Sequence, residues 1–182
     1  TNNNGYGTSY TIPNIKNTFI RTTLRYNIDI DGNYTKAFNV ERPFYSPYAR
    51  WAAGMNFDQQ FQRLIPVDFP QSDSTVNSKY NSQDLWGGHS IQIFKGNTES
   101  NRATNFITTA RFYNKEFSDK PIFGDDTLGV YSNEKLYLIS LGISSRKYKQ
   151  DKFVFNFDVI EDIASGFVYS VTTGFQNKNS NN

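Results

Sequence analysis

The chain has 182 residues, 37% of them hydrophobic and 20% charged, with a formal charge of +2 and a mean hydropathy of -0.64. No run approaches the roughly 18 apolar residues of a membrane-spanning helix, and 16 Phe, 12 Tyr and 2 Trp are too many for a disordered chain. Charges of both signs are interspersed, so no basic patch points to nucleic acid. The absence of Cys removes disulfides, thiolate metal sites and cysteine nucleophiles.

Helix formers are scarce beside Asn, Thr, Ser, Tyr and Phe, which is a β-protein composition. Residues 1–16 read as a flexible N-terminal segment, 17–176 as strands and loops, and 177–182 as a polar tail or cut loop. The chain starts at Thr1 with no visible signal peptide, as expected of a mature or cut form.

Period-two alternation is the main signal. From Thr18 to Asp31, Ile20, Leu24, Tyr26, Ile28 and Ile30 alternate with Arg21, Arg25, Asn27 and Asp29. Asp31-Gly32 then supplies a tight turn, and Tyr34 to Val40 returns as the second half of a hairpin. From Ala49 to Gln62, Trp51, Ala53, Met55, Phe57 and Phe61 alternate with Arg50, Ala52, Asn56, Asp58 and Gln60. Further strands are expected at Leu85–Phe94, Thr104–Asn114 and Lys135–Arg146, then, after the short link Lys149–Lys152, at Phe153–Val159 and Gly166–Gln176. About eight strands result, in up-and-down order. The segments Pro66–Gln83 and Glu116–Asn133 read as long polar loops opposite tight turns.

Two architectures fit this alternation. In a soluble sandwich the apolar face is the core; in a membrane barrel it meets lipid, and the polar face lines the interior. Several segments reach the roughly 9–11 residues that a tilted strand needs to cross a bilayer. Small residues (Thr22, Ala49, Ala53, Thr108, Ala110) interrupt the apolar side, which lipid tolerates better than a packed core does. The fold expected is therefore all-β: an antiparallel up-and-down transmembrane β-barrel, or a roughly eight-strand part of a larger one. Arg21, Arg25, Asp29, Arg50, Asp58, Arg111 and Asp158 are then lumen-facing candidates. Lipid-facing or girdle candidates are Trp51, Phe57, Phe61, Phe112, Phe153, Tyr169 and Phe175.

Glu41-Arg42-Pro43-Phe44-Tyr45-Ser46-Pro47-Tyr48-Ala49-Arg50-Trp51-Ala52-Ala53-Gly54 resembles the barrel region of Bacteroidetes outer-membrane proteins related to the Omp85 (surface-antigen, BamA-like) superfamily. Ile160-Glu161-Asp162-Ile163-Ala164-Ser165-Gly166-Phe167-Val168-Tyr169 is similar to the acidic turn and Gly-aromatic strand of the same group. The resemblance spans most of Asn17 to Gln176. It implies a location in the bacterial outer membrane and a 16-stranded barrel, of which this chain would form half. It also implies an activity in protein insertion or translocation, with outer-membrane lipid, other envelope proteins or a protein substrate as partners. The Arg-Gly-Phe/Tyr motif of the family's lumen-inserted loop is missing.

No catalytic set emerges, so neither an enzyme nor a cofactor is expected. His89 is the one histidine and reads as a strand-face residue near an interface. Asp29-Ile30-Asp31-Gly32-Asn33 has the start of a calcium loop without its distal Glu, and a hairpin turn accounts for it. Asp125-Asp126 reads as a solvated turn. Glu161 and Asp162 are adjacent and do not converge if extended, while Gly87-Gly88 suits a bulge or strand start. Asp73-Ser74-Thr75 and Asp126-Thr127-Leu128 resemble the short O-glycosylation motif of Bacteroidetes envelope proteins, making Ser74 and Thr127 candidates. The alternative function is a soluble secreted β-sandwich that binds carbohydrate or forms a structural coat. Trp51, Trp86 and Tyr80 would then be sugar-stacking candidates.

Overall fold

The computed structural model describes residues 4–64, 76–121, 129–152 and 160–179. Eight strands run in chain order: β1 (Tyr6–Ile12), β2 (Arg21–Ile28), β3 (Tyr34–Arg42), β4 (Trp51–Leu64), β5 (Val76–Gln92), β6 (Thr104–Asp119), β7 (Asn133–Lys152) and β8 (Ile160–Asn179). A single helical turn, α1 (Glu99–Arg102), precedes β6. All eight strands form one antiparallel sheet in the order β1 to β8. Every strand pairs with its sequence neighbours, and β1 and β8 are the two unjoined edges. The sheet is open.

Local chemistry explains the connections. At the β2–β3 turn, Asp29 Oδ1 accepts the N–H groups of Asp31 (2.9 Å) and Asn33 (2.8 Å), and Gly32 takes a φ of 80° that favours glycine. Between β1 and β2, Lys16, Asn17 and Phe19 all adopt positive φ. The segment is held by Thr18 Oγ1 donating to the Ile15 carbonyl (2.6 Å) and by Phe19 N–H donating to Asn14 Oδ1 (2.9 Å). Phe19 stacks on Tyr45 at 3.8 Å, so the β1–β2 and β3–β4 connections lie together at one end of the sheet. Ser118 is the extra residue of a bulge between β5 and β6, where the register shifts at Lys79/Tyr80.

Five expectations change, the first being the polar tail expected at 177–182, of which Asn177, Lys178 and Asn179 belong to β8 and pair with Lys135, Glu134 and Asn133 of β7. The N-terminal segment contains β1, whose Tyr, Thr and Ile residues pair along the whole of β2. The loop expected at Pro66–Gln83 ends at β5, which begins at Val76, and β6 runs on to Asp119. Lys149–Lys152 is no link but the end of β7, paired with Ile160–Ile163 of β8. The tight Asp31-Gly32 turn also lies at the same end of the sheet as the strand ends Leu64, Val76, Asp119 and Asn133, so the expected long connections do not lie opposite it. The expected Phe153–Val159 strand, with Phe153 and Asp158, lies outside the described residues, as do Asp73, Ser74, Asp125, Asp126 and Thr127.

A single sheet has no second layer to pack on, and the burial pattern follows. Among the described residues the only buried hydrophobic ones are Ala49, Ala52 and Ala103, and no large side chain is fully buried. Instead Ser78, Ser82, Ser90, Asn105, Asn114, Ser132, Ser144 and Ser145 are buried, shielded beside larger neighbours. This inverts the usual interior of a water-soluble domain.

Candidate functional site: a two-faced sheet

Directly paired residues of neighbouring strands share a face, so the register carries each face across the sheet. From β4 the row through Phe57 passes to Phe38, Leu24 and Tyr10 on one side. The row through Met55 passes to Leu85, Phe112, Tyr137 and Phe175 on the other. Of the exposed large hydrophobic residues in strands, every one except Val168 belongs to this face. Trp51 is 64% exposed and Val171 76%, so nothing in the described chain covers it.

The expected lipid-facing set, Trp51, Phe57, Phe61, Phe112, Tyr169 and Phe175, falls together on this apolar face. His89 is there as well, its ring 4.1 Å from that of Trp51. Arg21, Arg25, Asp58 and Arg111 fall together on the opposite, polar face. Two of the lumen candidates take other places. Asp29 lies in the β2–β3 turn, and Arg50 precedes β4, its carbonyl accepting the Ser90 N–H at 2.8 Å. The sugar-stacking candidates divide: Trp51 is on the apolar face, Tyr80 and Trp86 on the polar one, so they build no common platform.

On the polar face two arginines pair with carboxylates across strands. Arg111 forks onto Asp84, with Nε 2.7 Å from Oδ1 and Nη2 on Oδ2. Arg21 lies 3.6 Å from Glu41. Asp58 Oδ2 accepts Gln60 Nε2 at 2.7 Å, while its Oδ1 is buried without a partner. Glu41 and Asp84 escaped the sequence reading. Their signal was present in the alternation, as acidic residues on the same face as the named arginines. Trp86 lies flat over Gly54, where a Cβ would come within 2.3 Å of the indole Nε1.

The apolar residues form a band that crosses the sheet diagonally. The row through Tyr10, Leu24, Phe38 and Phe57 continues into Gln83, Asn114, Lys135 and Asn177: apolar on four strands, polar on the next four. Ser9, the midpoint of β1, is carried by the register to Lys178, whereas the β8 run Phe167–Phe175 is centred on Val171, seven residues away. The band therefore steps by about one residue per strand. With about 3.3 Å per residue and about 4.8 Å between strands, it runs at roughly 35° to the direction in which the strands stack.

Among the described residues no group of His, Asp and Glu could hold a metal ion. No family model, no curated protein and no solved structure matches this chain.

Proposed function

We propose that this sheet is the wall of a β-barrel in a bacterial outer membrane, with its apolar face against lipid and its polar face toward the interior. The diagonal band carries this reading. A bilayer is a flat slab, and strands tilted by about 35–45° must present their apolar stretches at successively shifted positions to remain inside it. A sandwich core has no such requirement. The lengths of β4 to β8, at 14, 17, 16, 20 and 20 residues, exceed the roughly 10 that a tilted crossing needs, whereas β1 to β3 have 7, 8 and 9.

The arginine–carboxylate pairs also suit an enclosed polar interior, where unpaired charges are costly. Within this reading, the resemblance of Glu41–Gly54 to the Omp85 superfamily narrows the activity to insertion or translocation of proteins. That activity uses no cofactor. The test is extraction of the full-length protein from membranes, followed by cold SDS electrophoresis. Detergent-dependent extraction and a migration shift on boiling are expected. A protein that stays soluble and monomeric without detergent rejects the membrane wall and leaves the carbohydrate-binding or coat-forming sandwich.

A further inference from the structure

The apolar face is not uniform. Across β1 to β5 it sinks into a hollow of about 780 Å³, within the range of small-molecule sites. Two adjacent rows line it. One is the apolar row of Tyr10, Leu24, Phe38 and Phe57; the next, one pair closer to the Asp29–Asn33 turn, carries Lys36, Gln59 and Asn81. Arg25 and Asp58 also border the hollow, from register positions that belong to the polar face.

Lys36 is the distinctive residue. Its Nζ lies 5.0 Å from the Tyr34 ring centroid and 5.9 Å from that of Tyr26, so two aromatic rings hold the ammonium one row inside Tyr6, Ile28, Tyr34 and Phe61, the last row of that face before the Asp29–Asn33 turn. Among the described residues no carboxylate pairs with it. Glu116 shares its row, but three strands away, about 14 Å at the usual strand spacing, and accepts Asn114 Nδ2 at 3.1 Å. Gln59 Nε2 donates to Asn81 Oδ1 at 2.9 Å, placing two side-chain amides next to the cation. On the same face, Arg63 Nη1 donates to the Asp31 carbonyl at 3.0 Å, and Lys79 on β5 stands opposite Asp119 on β6, whereas Lys36 has no acidic residue beside it in register. An apolar trough beside an unneutralised cation and a pair of amides matches an amphiphile with a negative head.

We propose that this hollow binds an anionic phospholipid. An acyl chain lies along Tyr10, Leu24, Phe38 and Phe57, and the headgroup phosphate sits at Lys36 beside Gln59 and Asn81. The proposal rests on the membrane reading above, because only in a bilayer does a cation among aromatic residues near the strand ends lie close to headgroup depth.

Native mass spectrometry of the detergent-extracted, full-length protein tests it, using dimyristoyl phosphatidylglycerol, dimyristoyl phosphatidylcholine and inorganic phosphate as probes. The protein should retain the glycerol lipid about fivefold over the choline lipid, the scale of one cation at a membrane surface. Lys36→Gln should abolish the preference and Lys36→Arg should keep it. Lys135→Gln, on the same face but outside the hollow, should leave it unchanged. Equal retention of both lipids, an unaltered preference in K36Q, or a loss equally large in K135Q overturns the site. Binding of inorganic phosphate without lipid preference overturns the choice of lipid. Failure of the membrane reading is scored separately, before lipid is added, as a protein that needs no detergent.

Discussion

At Gly54 on the polar face Trp86 lies across the backbone and leaves no room for a Cβ. Gly54→Val would have to turn that indole away. The expected cost is about 1–3 kcal/mol, as for other overpacked sites, read as a lower urea midpoint with a shift in Trp fluorescence. Gly87, on the apolar face, has open space where a Cβ would project, so Gly87→Val should be neutral or slightly stabilising in the same titration. The β2–β3 turn makes a second prediction at this scale. Asn33 holds the Asp29 carboxyl below its ordinary 3.8, chiefly through its side-chain amide, with the N–H groups of Asn33, Asp31 and Gly32 adding and desolvation opposing. A lowered folded-state pKa favours the ionised turn, so its contribution is complete above the ordinary value and fades as pH falls through the lowered one. Hydrogen-exchange protection of the Asn33 amide should therefore hold from neutral pH to about 4 and decline below it, and Asp29→Ala should lack it throughout.

At the scale of single elements, β8 separates water from lipid most directly. Val171 is 76% exposed, and in water an Arg there would cost almost nothing. At the centre of an apolar band in a bilayer it should cost about 2–4 kcal/mol. Ser170→Arg, one residue away on the polar face, should cost much less, and unfolding titrations in lipid vesicles compare the two. Alternation made the faces of β2, β4, β5 and β7 legible, because over much of their length large apolar residues alternate with polar or small ones. It failed where a strand leaves the apolar band. Lys149-Gln150-Asp151-Lys152 has the composition of a turn, because nothing outside the band requires apolar residues; its pairing with Ile160–Ile163 is what keeps it in β7. β1 was hidden in a similar way, since Gly, Ser and Thr dilute its three large apolar residues and its partner lies elsewhere in the sequence. The hollow across β1 to β5 was illegible for a further reason. It depends on rows across five strands, and row membership follows from register, which the sequence of one strand does not contain.

For the whole molecule, the two unpaired edges are the decisive feature. In hydrocarbon an exposed strand edge leaves its N–H and C=O groups without partners, so a membrane wall must close. The eight strands are even in number, and β1 runs antiparallel to β8, as self-closure requires. A step of one residue per strand accumulates to eight around such a ring. An even total keeps both apolar faces outward and brings Tyr10 opposite Tyr169. In this cysteine-free chain, Tyr10→Cys combined with Tyr169→Cys should therefore form an intramolecular disulfide in the membrane, detected as a compact band without reductant. Absence of that bond would mean that other strands complete the wall. The same stagger bears on electrical behaviour. A closed ring of eight strands would enclose a space that its own inward side chains fill, and Tyr80, Trp86 and the Arg111–Asp84 fork lie on the face that would turn inward. Reconstituted alone in a planar bilayer, such a ring would carry no steady current, and a conducting path for ions or a polypeptide would require a wider circumference than these strands supply.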